Sequence, residues 1–190
     1  MRVEKLRDLI ARLHARPRRR LTLLVGVDGP VGAGKTAFTR ALVALDPGLD
    51  VIQMDDFGLP AADRVPPGDP EAVDRVGAEL DWRRLRSSVL LPLSRDQPAR
   101  YQRYDPATDA MAEWRMVPVG GIAIVEGRYA CMKALTTFYD FRIWMDSPRP
   151  WLPVEEAYLA SQDPAAAAHL RVDGSGAVAH DPAREYVRVR

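Results

Sequence analysis

Cysteine is nearly absent from this chain: Cys131 is the only one in 190 residues. An intramolecular disulfide is therefore excluded, and so is a cysteine-ligated metal cluster. Long apolar runs are missing, and no stretch reaches the length of a membrane span. Lysine is scarce, with only Lys5, Lys35 and Lys133 in a chain otherwise charged by arginine. An excess of either charge is also lacking. Lys and Arg number 27 against 26 Asp and Glu, a net charge of +1. That balance argues against a strongly basic nucleic-acid binder, although it permits a local basic patch. The opening stretch "MRVEKLRDLIARLHARPRRR" has no apolar core of the secretory kind. It is Arg-rich and amphipathic, like a transit peptide, but Glu4, Asp8 and the want of serine count against that reading. The expected compartment is a reducing cytoplasm, with no membrane partner.

What is present is the composition of a soluble globular protein, 47% hydrophobic and 28% charged. The length suits one domain, 1–190, that buries roughly 70% of its extended-chain surface. Val3, Leu6, Ile10 and Leu13 recur at helical spacing, so a first amphipathic helix is expected within 1–18. "PRRR" ends it, and its arginines read as a solvated turn. "LTLLVGV" (21–27) is a continuous apolar run, as for a strand covered on both faces. "KTAFTRALVAL" reads as a helix with Phe38, Leu42 and Leu45 on one face. "VIQM" (51–54) is a short strand, and 58–80 is mostly loop with one short helix. "DWRRLRSSVLLPL" is helical. "RYQRYD" and "AEWRMVP" flank the turn "PATD", a hairpin over 99–118 outside the main sheet. "GIAIV" (121–125) and "DFRIWMD" (140–146) are further strands, "VEEAYLASQ" a helix and "HLRVDG" a last strand. Strands alternating with helices predict an α/β fold: a P-loop NTPase-type, mainly parallel sheet with helices on both faces and a small added β-hairpin.

Between the first buried strand and its helix lies "GPVGAGKT", Gly29 to Thr36, with the G-x-x-x-x-G-K-T spacing of a phosphate-binding loop. Glycines there let backbone N–H groups converge on phosphate oxygens, and the helix that follows presents its positive end to the same anion. Lys35 reaches the β and γ phosphates, and the Thr36 hydroxyl is a Mg²⁺ ligand. The expected nucleotide-binding residues are Gly29, Pro30, Val31, Gly32, Ala33, Gly34, Lys35, Thr36 and Ala37, with ATP and Mg²⁺ as cofactors. No N-K-x-D guanine motif accompanies the loop.

A magnesium–nucleotide site calls for an acid at the end of a neighbouring strand. Glu126 and Asp146 both qualify, and Gly127 favours Glu126 by letting the chain turn tightly beside the loop. Asp55 and Asp56 end the second strand, on the side where open parallel sheets hold ligands. One of them can accept the proton of a hydroxyl attacking the γ-phosphate. The competing reading is a local turn capped by Asp56.

The ordered set "GPVGAGKT", "MDDF", "YD" and "IVEG" resembles the uridine kinase group of P-loop kinases, which also includes phosphoribulokinase and the bacterial pantothenate kinases. The resemblance runs from about residue 20 to 146 and returns weakly at "HLRVDG". It implies Asp55 as catalytic base, Glu126 as a magnesium-side acid, Asp81 at sugar hydroxyls and Tyr104 lining the acceptor pocket. Members of the group are often oligomeric, so a homo-oligomer is compatible. Three departures stand out. Gly58 replaces the tyrosine that usually follows D-x-F. No histidine follows the Y-D pair. The Arg-rich lid is shortened or missing at 147–153, where Arg149 is the only arginine.

The expected activity is transfer of the γ-phosphoryl of ATP to a hydroxyl of a small metabolite, a nucleoside of the uridine or cytidine kind being favoured. Pantothenate-type and sugar-type acceptors are alternatives. So is a nucleotide-hydrolysing switch or binding protein without a small-molecule acceptor.

Overall fold

The computed structural model describes residues 1–64, 77–147, 149 and 152–189. Among the described residues, nine strands fall in two sheets. The larger has the order β1-β9-β8-β7-β2-β6-β3, built from β1 (Arg2–Lys5), β2 (Leu23–Asp28), β3 (Leu49–Gln53), β6 (Ile122–Glu126), β7 (Phe141–Asp146), β8 (Leu170–Asp173) and β9 (Glu185–Arg188). Its five strands from β8 to β3 run parallel, and β9 and β1 join antiparallel at one edge. The smaller sheet is the hairpin of β4 (Ala99–Asp105) and β5 (Ala110–Val117).

Continuous apolar runs place β2 and β6 inside the sheet, each between two neighbours, where every residue is buried. Successive side chains then face opposite layers. Leu24 and Val125 join one core with Phe57, Leu85 and Tyr101, while Val25, Val27 and Ile124 join the other with Leu6, Leu13 and Leu42. Helices α1 (Leu6–His14) and α2 (Lys35–Leu45) cover the second layer. On the first lies α3 (82–94), a helical run of an α turn Trp82–Leu85, a π turn Arg86–Leu90 and a final turn Leu91–Ser94. Pro92 explains the wide turn: it has no N–H, and its ring crowds the carbonyl four residues back. Two further helices are α4 (Lys133–Thr136) and α5 (Pro153–Gln162).

Three expectations need correction. Val3 is not helical but lies in β1, opposite Val187 of β9, so the first helix starts at Leu6. "HLRVDG" is not the last strand, because β9 follows it. The arginine run is not simply solvated: Arg18 donates to the Leu21 and Gly121 carbonyls, and Arg20 to the Phe138 carbonyl and Asp140 Oδ1. Of the loop expected over 58–80, residues 65–76 lie outside the described residues. So do Pro148, Pro150 and Trp151 of the segment expected to be a shortened lid.

Register sets up the site. Val27 of β2 and Gln53 of β3 both pair with Glu126 of β6, so these three strands end level. The phosphate loop after β2, Asp55 after β3 and Gly127 after β6 therefore emerge at one sheet edge, the carboxyl edge where such sheets hold ligands.

Candidate functional site

The loop from Gly29 to Gly34 opens directly into α2. Gly34 sits in the left-handed region with φ 84°, which a side chain would oppose, and its carbonyl accepts the Phe38 N–H at 2.9 Å to begin the helix. Lys35 is buried and folds back over the loop. Its Nζ donates to the Gly29 carbonyl at 2.7 Å and the Pro30 carbonyl at 2.8 Å. Burial pushes the Lys35 ammonium below its ordinary pKa, opposed by the nearby carboxylates of Asp28 and Glu126. Thr36 Oγ1 donates to Glu126 Oε1 at 2.9 Å. Burial raises the Glu126 carboxyl, and the Thr36 bond and the Lys35 charge pull the other way. Gly127, at φ 144°, packs tightly against the chain after β3: a Cβ there would lie 2.5 Å from Met54 Cβ.

Asp146 is placed differently from Glu126. Its carboxylate accepts from Arg171 Nη2 at 2.8 and 3.0 Å and from Trp144 Nε1 at 3.0 Å. The two aspartates after β3 also separate. Asp56 is buried and accepts the Tyr101 hydroxyl at 2.8 Å, while Asp55 is exposed at the sheet edge. Burial raises the Asp56 carboxyl, and burial together with Asp56 raises the Tyr101 phenol. Arg84 fixes this turn, donating to the Asp56 carbonyl at 3.1 Å and the Gln102 carbonyl at 2.5 Å.

Asp81 caps α3, with Oδ1 accepting the Arg84 N–H at 2.9 Å, and its own N–H donates to the Phe57 carbonyl at 2.7 Å. Tyr104 is buried. Its hydroxyl donates to Asp109 Oδ1 at 2.6 Å and accepts from Arg64 Nη2 at 2.8 Å. Its ring lies against Gly58, where a Cβ would come 2.4 Å from Tyr104 Cδ1. The glycine that departs from the uridine kinase pattern thus gives room to this tyrosine.

Sequence reasoning missed three groups around the loop. Asp28, the last residue of β2, is buried and accepts four hydrogen bonds. The Gly29 and Tyr129 N–H groups donate to Oδ1 at 2.7 and 3.0 Å, and the Cys131 N–H and Tyr158 hydroxyl to Oδ2 at 2.9 and 2.6 Å. It ties the loop to the chain after β6 and to α5, and an acid closing an apolar strand just before the loop was its only signal. Glu155 of α5 accepts the Val31 N–H at 2.8 Å and the Leu152 N–H at 2.9 Å. Beside it, Arg149 leans over the loop: a Cβ on Gly32 would lie 2.9 Å from Arg149 Cδ and 3.0 Å from its Nε. The third is a cavity of about 370 Å³ on the far side of the loop. Ala33, Gly34 and Ala37 form one wall, Phe38 and Tyr186 lend apolar surface, and Asp173, His180 and Glu185 complete it.

Among the described residues, no cluster of three or more His, Cys, Asp or Glu side chains could hold a metal unaided. Thr36 and Glu126 are hard oxygen donors. Mg²⁺ suits one or two such ligands completed by phosphate oxygens and water. Also among the described residues, no helix is long and apolar enough to cross a membrane.

A solved structure from Bacillus stearothermophilus, described as a possible uridine kinase, superposes with a TM-score of 0.71 at 22% identity, over 87% of this chain and 96% of that one. The fold is that of the uridine kinase-like P-loop kinases. The same kinase fold relates the chain to D-glycerate 3-kinase from Cryptococcus neoformans var. grubii, with a TM-score of 0.51 at 17% identity over 82% of this chain and 77% of that one. No family model matches the sequence. In sequence, the chain is 32% identical over 128 residues to a protein of Arabidopsis thaliana named inorganic pyrophosphatase TTM2, covering 64% of this chain and 17% of that protein. The chain thus spans about a sixth of the length of the curated relatives it matches.

Proposed function

We propose that this chain is an ATP-dependent kinase passing the γ-phosphoryl of ATP to a hydroxyl of a small metabolite. The observation that carries the reading is one sheet edge. There the phosphate loop with Lys35, the Thr36–Glu126 pair and the exposed Asp55 emerge from three strands in level register. The kinase fold of the structural neighbours supports it.

In this reading the loop N–H groups from Gly32 to Thr36 cradle the β and γ phosphates. Lys35 exchanges its two carbonyl partners for phosphate oxygens. Thr36 and Glu126 would hold Mg²⁺, which when bound offsets charge on the transferring phosphoryl. Asp55 orients the acceptor hydroxyl and takes its proton, and Arg149 adds a guanidinium at the loop. Asp81 and Tyr104 border the acceptor side, with Tyr104 acting through the packing of the Gly58 turn. Nucleoside-type acceptors remain favoured over pantothenate-type and sugar-type ones, and residues 1–190 act as one kinase domain.

A second reading is supported by the sequence relatives named as inorganic pyrophosphatases: hydrolysis of a phosphoanhydride, with water in place of the hydroxyl. A coupled ADP-release assay with MgATP, run across ribonucleosides, pantothenate, sugars and other small alcohols, separates the two. Stimulation by one acceptor class supports the kinase. Acceptor-independent phosphate release, from ATP or from pyrophosphate, supports the hydrolase.

A further inference from the structure

We infer that the pocket where α1 ends against the first residues of β7 and β8 binds the phosphate group of a small phosphorylated metabolite, as a second anion site separate from the phosphate loop.

The pocket has a volume of about 160 Å³. That is below the roughly 300–1,000 Å³ of drug-sized ligand sites, so it suits a short molecule rather than a nucleotide. Leu9, Leu13 and Leu170 give it apolar surface, and Arg12, Arg16, Arg188 and His169 also line it. Among the described residues, no carboxylate does. It lies at the amino edge of the sheet, opposite the phosphate loop. Its residue Phe141, the first of β7, pairs with Val25 of β2, four residues before Gly29. At about 3.3 Å per residue, roughly 13 Å of strand separates the two.

The donors around the pocket are only partly used. Arg12 and Arg188 share one carboxylate, both donating to Glu4, at 3.1 and 3.4 Å. Arg16 makes no ion pair among the described residues, and its one hydrogen bond is a long one, 3.4 Å to the Asp140 carbonyl. The Asp140 carboxylate is engaged elsewhere, accepting from Arg20 and from the Leu24 N–H. His169 Nδ1 accepts the Arg142 N–H at 3.0 Å, so the neutral ring carries its hydrogen on Nε2. That Nε2–H has no partner among the described residues. Partial burial lowers the pKa of this imidazole, and the Arg142 and Arg16 charges add to the effect.

Two of these groups are held in place by one ring. The Arg16 guanidinium lies over Phe141, 4.7 Å from the ring centroid, and the His169 ring stacks on Phe141 at 5.2 Å with 15° between the planes. Groups ordered in advance lose less freedom on binding. A guanidinium fork matches phosphate oxygens two at a time. A phosphate monoester brings about −1.5 to −2 of charge and three acceptor oxygens, which suits several unused N–H groups better than one carboxylate does. The leucines then cover a short carbon body.

The test titrates n-propyl phosphate, inorganic phosphate and neutral n-propanol by calorimetry, with circular dichroism confirming the fold of each protein. Lys35→Ala impairs the loop as a phosphate site and so isolates the pocket. The ester is expected to bind Lys35→Ala, and to bind the double variant Lys35→Ala with Arg16→Ala about ten- to hundredfold more weakly, the worth of a charged hydrogen bond. Each buried carbon is worth about fourfold, so inorganic phosphate should bind more weakly than the ester, and n-propanol should show no binding. Should either variant fail to fold, nitrogen-resolved NMR of the wild type decides. The His169 Nε2 signal, assigned with His169→Gln, should move as the ester is added. Ester binding that vanishes in Lys35→Ala, or that Arg16→Ala leaves unchanged, would overturn the inference. So would a His169 signal that stays still while the wild type binds the ester. Inorganic phosphate bound as tightly as the ester would overturn the phosphorylated metabolite as the ligand.

Discussion

The substitution Gly58→Ala tests the packing beneath the candidate acceptor site. Gly58 has φ −57° and ψ 145°, a conformation open to any residue, so alanine meets no backbone penalty. The obstacle is the Tyr104 ring: a Cβ would lie 2.4 Å from Cδ1 and 2.7 Å from Cε1. Carbon atoms in contact prefer about 3.5–4.0 Å, so the overlap is about 1 Å. The ring cannot simply swing away, because Asp109 and Arg64 hold its hydroxyl at the far end. Forced overpacking of this kind costs about 1–3 kcal/mol. At about 2–4 °C per kcal/mol for a chain of this size, Tm should fall by about 2–12 °C. With Tyr104→Ala in the background the obstacle is gone. The change from glycine should then stabilise by about 0.4–1 kcal/mol, through the narrower unfolded ensemble. The sign of one substitution therefore reverses between two backgrounds. Thermal melts of the four proteins give the coupling, expected at about 1.4–4 kcal/mol. Equal effects in both backgrounds, or a neutral Gly58→Ala in the wild type, would refute the account of why a glycine stands there.

Other outcomes follow from the site. Lys35→Ala should weaken ATP binding and turnover together, since Nζ serves the phosphates in both; ATP affinity unchanged by calorimetry would count against the loop as the phosphate site. Asp55→Asn should lower kcat by about 10² to 10⁴, the usual worth of a positioned base, with ATP affinity nearly intact. Full turnover in that variant would remove Asp55 from the mechanism. Glu126→Gln has a pH signature. Burial raises the folded-state Glu126 carboxyl above its unfolded value, so its stabilising contribution is full below about pH 4.5 and is lost as pH rises through the folded value. Without Mg²⁺, the melting temperature of the variant should therefore gain on the wild type between pH 4 and pH 8, while Mg²⁺-dependent nucleotide binding drops. A constant gap across that range would show that the carboxyl is not perturbed.

Much of the fold could be read in advance where pattern and local chemistry agreed. The helix after the loop spans Lys35–Leu45 as the apolar spacing suggested, and the alternating runs around "PATD" pair as a hairpin. The errors lie where contacts between distant segments decide. Val3 fits a helical period with Leu6, yet pairing with β9 from the far end of the chain makes it a strand. Four residues, Glu185–Arg188, are too few to show a period of their own. The same holds at the site. The loop and the acids Asp55 and Glu126 stand in short ordered motifs at strand ends, so their convergence could be foreseen. Asp28 and Glu155 matter through partners about 100 to 130 residues away, and nothing local marks them. Tyr104 stands in a short motif too, yet nothing local shows that its hydroxyl meets Asp109 and Arg64 or that its ring fills the space above Gly58.

The central claim is that the γ-phosphoryl leaves ATP for an organic hydroxyl. Its most direct test follows the label from [γ-³²P]ATP with Mg²⁺ and the acceptor class that best stimulates ADP release, comparing wild-type protein with Asp55→Asn. The account predicts ³²P in an acid-stable phosphate ester, formed in step with ADP and reduced about 10² to 10⁴-fold in the variant. Label found solely as orthophosphate or pyrophosphate, at a rate no acceptor alters, would contradict it.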